Sequence, residues 1–176
     1  MTFLETARLL FRSHQAEDQE HFIDMQTDPE VRRYAGGKAW SPEKARARFH
    51  NQYLGKPSQT YGLWATVFKE ESRYIGYCGL YRESNGNGKS VRLGSYIARP
   101  YWRRGLATEA SRAFIDLAFS QLQFLELFAD VEKGNDASEH ILQKLGFVYV
   151  DREELPARVL HIYRLDKDNW TPSLRS

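Results

Sequence analysis

The residues best suited to chemistry lie between positions 101 and 114, which read YWRRGLATEASRAF. The first turn of a helix leaves about four backbone N–H groups without partners and carries partial positive charge. Gly105 and Ala107 lack bulky side chains, so an anion can approach those N–H groups closely. Arg103 and Arg104 add forked donors that suit phosphate. The stretch therefore predicts a pyrophosphate-binding helix start, although a packing glycine and solvated arginines would give the same sequence.

A second candidate element covers residues 135–147, which read NDASEHILQKLGF and follow an apolar, strand-like run at 124–131. Asn135 stands where a helix begins, and Gly146 stands where that helix ends. The residues alone leave two interpretations open. Asn135 is either a ligand contact or an ordinary N-cap, and Gly146 suits the position that follows a helix C-terminus.

Together the two elements resemble the GNAT superfamily of N-acetyltransferases. The acetyl-coenzyme A signature Q/R-x-x-G-x-G/A has Trp102 at its first position, Gly105 at the central glycine and Ala107 at the last. The run A-T-E-A that follows resembles the branch containing the ribosomal-protein N-terminal acetyltransferases. Residues 135–147 resemble the superfamily pattern N-x-x-A/S-x-x-L/V-x-x-K/R-x-G-F. The opening runs LETARLLFRS and DPEVRRYAGG extend the likeness over essentially the whole chain.

The resemblance implies acetyl-coenzyme A as co-substrate, with no metal. The strand at 90–98 would pair with the pantetheine arm and splay from the strand at 124–131. A backbone N–H near Ile97 would polarise the thioester carbonyl. The residues implied to bind the co-substrate are Ile97, Ala98, Trp102, Arg103, Arg104, Gly105, Leu106, Ala107, Thr108, Asn135, Ser138 and Lys144.

The same resemblance implies an acid that protonates the departing thiolate. Many members have a tyrosine where this chain has Leu142. Ser138 or a water molecule is then the expected substitute. Tyr96 is a further catalytic candidate that would position the thioester, and core packing explains it equally well.

The base that deprotonates the acceptor amine stays unassigned. Many members of the branch have a glutamate where this chain has Arg92. Glu83, at the end of the preceding strand, and Glu154, in the last hairpin, are candidates that would act through water. Each also suits an ordinary solvated strand end.

Composition narrows the class of protein. The 176 residues predict one domain spanning positions 1–176, and the net charge of +2 gives no whole-surface argument for nucleic acid. The single cysteine, Cys78, excludes an internal disulfide, and the five histidines show no metal-site spacing. No apolar run approaches the roughly 20 residues that span a bilayer. We therefore expect a cytoplasmic protein without a membrane or nucleic-acid partner.

The hydrophobic pattern predicts an α/β (α+β) domain of order β-α-α-β-β-β-α-β-α-β-β. About seven strands would form a mixed, mostly antiparallel sheet with helices on both faces, and residues 166–176 would be a loose tail. The predicted strands cover 6–12, 62–69, 74–83, 90–98, 124–131, 146–153 and 157–165.

The leading functional hypothesis is direct transfer of an acetyl group from acetyl-coenzyme A to a primary amine. That amine is either a protein N-terminus or a small molecule. The alternative is a catalytically impaired module that binds acetyl-coenzyme A as a sensor or partner protein. Homodimerisation is left open.

Overall fold

The computed structural model describes residues 2–55, 62–82 and 90–172. The strands are β1 (Thr2–Glu5), β2 (Leu9–Arg12), β3 (Gly62–Phe68), β4 (Arg73–Arg82), β5 (Val91–Ile97), β6 (Glu126–Glu132), β7 (Val148–Leu155) and β8 (Arg158–Asp166). The helices are α1 (Gln19–Thr27), α2 (Pro29–Arg32), α3 (Pro42–Arg48), α4 (Leu106–Asp116) and α5 (Asp136–Lys144). The strands form one sheet in the order β1-β2-β3-β4-β5-β6-β8-β7. The α/β class and the mixed sheet are confirmed.

The sheet has eight strands where the sequence predicted about seven. The difference lies at the N-terminus, where an additional strand, β1, precedes the strand expected at 6–12, and that strand begins only at Leu9 as β2. Thr6 makes the turn between them, because its backbone N–H donates to the Leu9 carbonyl at 2.9 Å. Its hydroxyl accepts from the Leu9 N–H at 3.0 Å. Such local bonds from a threonine favour a turn over a continuous strand.

Helices cover both faces of the sheet, as expected. On one face α4 and α5 bury residues such as Phe114 and Leu142 in the larger apolar cluster. On the other face α1 and the turn after α3 bury Phe22 and Phe49 against Tyr77 of β4. Each face thus has its own core, and the sheet lies between them.

The two central strands diverge, and this divergence opens the molecule. β5 pairs with β4 along its whole length, from Arg82 opposite Val91 to Gly76 opposite Ile97. Its parallel pairing with β6 is confined to Arg92 opposite Phe128. Beyond that point the strands separate toward their carboxyl ends, so the splay that the resemblance implied is present.

The C-terminal segment packs against α4, so the expectation of a loose tail is wrong for residues 166–170. The indole Nε1 of Trp170 donates to Asp116 at 2.7 Å, and the Arg112 guanidinium lies 4.9 Å from the indole ring centre. A large amphipathic ring with a half-buried hydrogen-bond partner anchors the chain here. Residues 173–176 lie outside the described part of the tail.

Candidate active site

A cleft of about 540 Å³ lies between the diverging strands. One side is formed by the first residues of α4 and α5. The opposite side is formed by the segment from α2 to Ala35 and by the face of β6 that carries Asp130 and Glu132. The cleft therefore runs through the sheet from one face to the other.

The start of α4 has the bare N-terminus that the sequence predicted. The helix begins at Leu106, two residues later than the predicted start at Arg104, with Gly105 as its N-cap residue at φ +75°. Glycine has no side chain to cap the first turn, so those N–H groups face the cleft beside Ala107 and Thr108. A Cβ on Gly105 would meet only the Arg8 guanidinium, at 3.5 Å. The positive φ, rather than crowding, is what requires glycine here.

A carboxylate fixes this helix start to the N-terminal turn. Glu109 accepts a hydrogen bond from the Thr6 hydroxyl at 2.6 Å and from the Arg8 Nε at 2.7 Å. Burial raises the pKa of Glu109, but these hydrogen bonds outweigh it, and the pKa lies below its usual range. Glu109 therefore stays ionised at neutral pH and holds the first turn of α4 in place.

The two adjacent arginines have different positions. Arg103 lines the cleft and adopts a left-handed backbone conformation at φ +60°. The Arg104 guanidinium lies 4.7 Å from the ring centre of Phe68 and 4.0 Å from Glu71, away from the cleft lining. Their common role as counter-charges was an expectation from sequence. The structure brings only the Arg103 side chain to the cleft.

The end of β5 presents backbone groups to the gap. Ala98 donates its N–H to Ile75 of β4 at 2.7 Å. Because N–H groups alternate in direction along a strand, the N–H of Ile97 points toward the gap. The Trp102 indole Nε1 donates to the Ile97 carbonyl at 2.6 Å and ties the α4 loop to the strand. Ala98 itself does not line the cleft.

The start of α5 brings two of the proposed residues together. Asn135 caps the helix, and its Oδ1 accepts from the Ser138 backbone N–H at 3.3 Å. Asn135, Ser138 and Leu142 line the cleft. Lys144 lies exposed in the last helical turn and does not line it. Asn135 is thus the N-cap that the sequence left as one of two interpretations.

Tyr96 reaches the cleft from β5, with its ring centre 4.9 Å from that of Tyr77. Burial raises the pKa of Tyr96, so its hydroxyl stays protonated at neutral pH. Of the two base candidates, Glu154 lies exposed on β7 beside Arg152, at 3.0 Å. Glu83 lies outside the described residues.

The carboxylates of β6 were not predicted from the sequence as site residues. Asp130 and Glu132 line the cleft, and Asp130 contacts the Arg92 guanidinium across the strands. The strand ELFADVE alternates, with Leu127, Ala129 and Val131 buried on the α4–α5 face. That period of two places both carboxylates on the opposite face. The alternation was readable in the sequence, but the partner arginines were not.

Burial raises the pKa of the Cys78 thiol to about 12, so a thiolate nucleophile is not available there at neutral pH. Within residues 2–55, 62–82 and 90–172, no three His, Cys, Asp or Glu side chains form a potential metal site. Over the same ranges, no helix is long and apolar enough to cross a bilayer.

The comparisons with known proteins agree with this geometry. The family model for the acetyltransferase (GNAT) domain matches residues 8–148. The chain belongs to the GNAT acetyltransferases. An uncharacterized Bacillus subtilis protein, YkkB, is 30% identical over 151 residues, which cover 84% of this chain and 86% of that protein. An uncharacterized N-acetyltransferase of Bacillus licheniformis, p20, is 28% identical over 169 residues, covering 93% and 94%.

Solved structures show the same GNAT fold. An acetyltransferase of the family from Bacillus anthracis superposes with a TM-score of 0.81 at 17% identity, covering 96% of this chain and 99% of that one. A spermidine N-acetyltransferase from Vibrio cholerae, in complex with CoA and spermine, gives 0.74 at 15% identity, covering 93% and 98%. A ribosomal-protein-S5-alanine acetyltransferase from Vibrio fischeri gives 0.71 at 16% identity, covering 98% and 100%.

Proposed function

We propose that this GNAT protein transfers an acetyl group from acetyl-coenzyme A directly to a primary amine. One observation carries the proposal. The cleft connects the bare N-terminus of α4, on one face of the sheet, with a carboxylate-lined wall on the other. A donor and an acceptor entering from opposite faces would meet in the gap between β5 and β6.

The residues at the α4 side fit the co-substrate. The first-turn N–H groups and the Arg103 guanidinium suit a pyrophosphate, and Gly105 leaves that approach open. Asn135 and Ser138 flank the path toward the gap. Acetyl-coenzyme A, when bound, supplies an acetyl thioester as the electrophile.

The chain's own groups then have distinct roles. The Ile97 N–H stabilises negative charge that develops on an acyl oxygen in the gap. Leu142, which stands at the position of the family's tyrosine, has no proton to give. The Ser138 hydroxyl, which also lines the cleft, is therefore the proposed proton donor to the departing thiolate. Tyr96, which is protonated, positions the acyl group from the β5 side.

The acceptor is either a protein N-terminus or a small amine. The two structural neighbours with named acceptors represent both classes, one with spermidine and the other with a ribosomal protein alanine. The Arg92 and Leu142 substitutions favour the second candidate function, an impaired acetyl-coenzyme A sensor, because both replace groups expected to move protons.

Two measurements on the full chain test the proposal. Saturating acetyl-coenzyme A should raise the melting temperature, since a ligand that binds only the folded state stabilises it. A primary amine should then release the coenzyme A thiol. No rise in melting temperature would exclude the proposal, and a rise without thiol release from any amine would favour the sensor.

A further inference from the structure

The wall of the cleft opposite α4 contains three carboxylates, and each has an arginine of its own. The pairs are Glu30 with Arg33 at 3.7 Å, Asp130 with Arg92, and Glu132 with Arg158 at 3.4 Å. Over the described residues, these pairs give the wall three negative and three positive charges. Arg32, which donates to Gln26 and acts on Tyr96, is a further cation near this wall, so the wall has no excess of negative charge.

The environment of Tyr96 agrees with this balance. Burial is the main cause of its raised pKa. Arg32 and Arg158 favour the ionised hydroxyl, whereas Asp130 and Glu132 oppose it. Charges of both signs therefore act on the centre of the cleft, and neither sign dominates.

Between the ion pairs the wall is apolar and aromatic. Val31, Tyr34 and Tyr81 contribute to its lining. Tyr34 reaches across to the turn after β6, where its Cε1 lies 3.8 Å from the position that a Cβ on Gly134 would occupy. The α2 segment thus closes over the gap with an aromatic ring, which suits an uncharged flank on the acceptor.

We propose that the acceptor is a primary amine with a single positive charge and an uncharged flank, and that Arg92 and Arg158 disfavour polyamines. This inference rests on the proposed acetyl transfer. A polyamine must shed the hydration of several ammonium groups, and only a net negative wall would compensate for that loss. Arginines that neutralise Asp130 and Glu132 remove this compensation.

The first experiment compares acceptors on the wild-type chain. Thiol release from acetyl-coenzyme A is measured with phenethylamine and Ala-Ala-Ala amide, each with one ammonium group, and with spermidine, which has three. We expect the better single-charge amine to exceed spermidine at least tenfold in kcat/KM. Its KM should change little between low and high salt, because a wall without excess negative charge exerts no attraction on the amine that salt could screen. A preference for spermidine would overturn the inference.

The second experiment removes one neutralising charge. Arg158 is one-third exposed at its side chain, so Arg158→Gln should fold, which is checked by its melting temperature. We expect it to raise the spermidine to single-amine ratio of kcat/KM about fivefold, because Glu132 then faces the cleft unneutralised. Calorimetry of spermidine against the coenzyme A complex should show tighter binding than in wild type.

Arg152→Gln is the matched control. Arg152 pairs with Glu154 at 3.0 Å on β7, outside the cleft lining, so its loss should leave the ratio unchanged. An unchanged ratio in Arg158→Gln, or an equal change in both variants, would overturn this inference and leave the acetyl-transfer proposal standing. A coenzyme A-dependent rise in melting temperature with no thiol release from any of these amines would overturn the acetyl-transfer proposal and this inference with it.

Discussion

The guanidinium of Arg92 on β5 contacts the carboxylate of Asp130 on β6, two residues beyond Phe128, the residue that Arg92 pairs with in the described sheet. The Arg92 side chain is 9% exposed and that of Asp130 is 19% exposed. The ion pair therefore lies at the narrow end of the cleft, where β5 and β6 begin to diverge. It holds together the two strands whose separation the proposed chemistry requires.

Loss of one partner should be costly, because it leaves a buried charge without its counter-ion. We expect Asp130→Asn to lower the free energy of unfolding by about 3 kcal/mol, measured by urea denaturation. The double variant Arg92→Met with Asp130→Asn should recover much of that loss. Asp151→Asn, on exposed β7, serves as the carboxylate-to-amide control. Wild-type stability in Asp130→Asn would show that the pair does not hold the strands.

Gly105 should be required for its backbone conformation at the co-substrate site. Gly105→Ala places a Cβ at φ +75°, which costs about 1 kcal/mol in backbone strain. Relief of that strain would turn the first-turn N–H groups of α4, so we expect coenzyme A affinity by calorimetry to fall about tenfold. Gly37→Ala is the control, since Gly37 has φ +78° and open space around it. Equal loss of affinity in both variants would contradict the assignment.

The Glu109 contacts to Thr6 and Arg8 should stabilise the same helix start. We expect Glu109→Gln to lower the free energy of unfolding by about 1 to 2 kcal/mol at pH 7, because hydrogen bonds to an ionised group are lost. The pKa of Glu109 is lowered in the folded state, so this contribution is present above its unfolded pKa and is lost as pH falls through the folded value. Glu126→Gln, half exposed on β6, is the control. A difference that persists unchanged at low pH would argue against the ionised contact.

His14 should make the fold sensitive to mild acid. It is 4% exposed among aromatic rings, and burial lowers its pKa from 6.5 to about 4. The folded state then binds fewer protons than the unfolded state between those values, so stability falls as pH drops through that window. Of the stability lost between pH 7.5 and 5, about 2 kcal/mol should come from His14. In His14→Gln the free energy of unfolding should depend less on pH by that amount. In the control His50→Gln, at an exposed position, the pH dependence should match the wild type. A wild-type slope in His14→Gln would contradict the assignment.

Local signals in the sequence predicted most of the elements, though not β1, and the positions of both motifs. Gly105 and Asn135 mark helix starts by their own chemistry, so both were readable before the structure. The position of the Arg104 side chain was not readable, because its guanidinium contacts Phe68 and Glu71. Both lie more than thirty residues earlier in the chain. The arginine partners of Asp130 and Glu132 were hidden for the same reason. Long-range pairing, rather than local pattern, decides which charged groups reach the cleft.

Acetyl transfer itself is tested most directly by the mass of the product. The chain is incubated with acetyl-coenzyme A and a mixture of phenethylamine, Ala-Ala-Ala amide and spermidine. The mass of each amine is then measured by mass spectrometry. We expect a single-charge amine to gain the mass of one acetyl group, with one thiol released for each product formed. The chain is used at a concentration at which acetyl-coenzyme A is fully bound. If all three amines stay unmodified under that condition, acetyl transfer is contradicted.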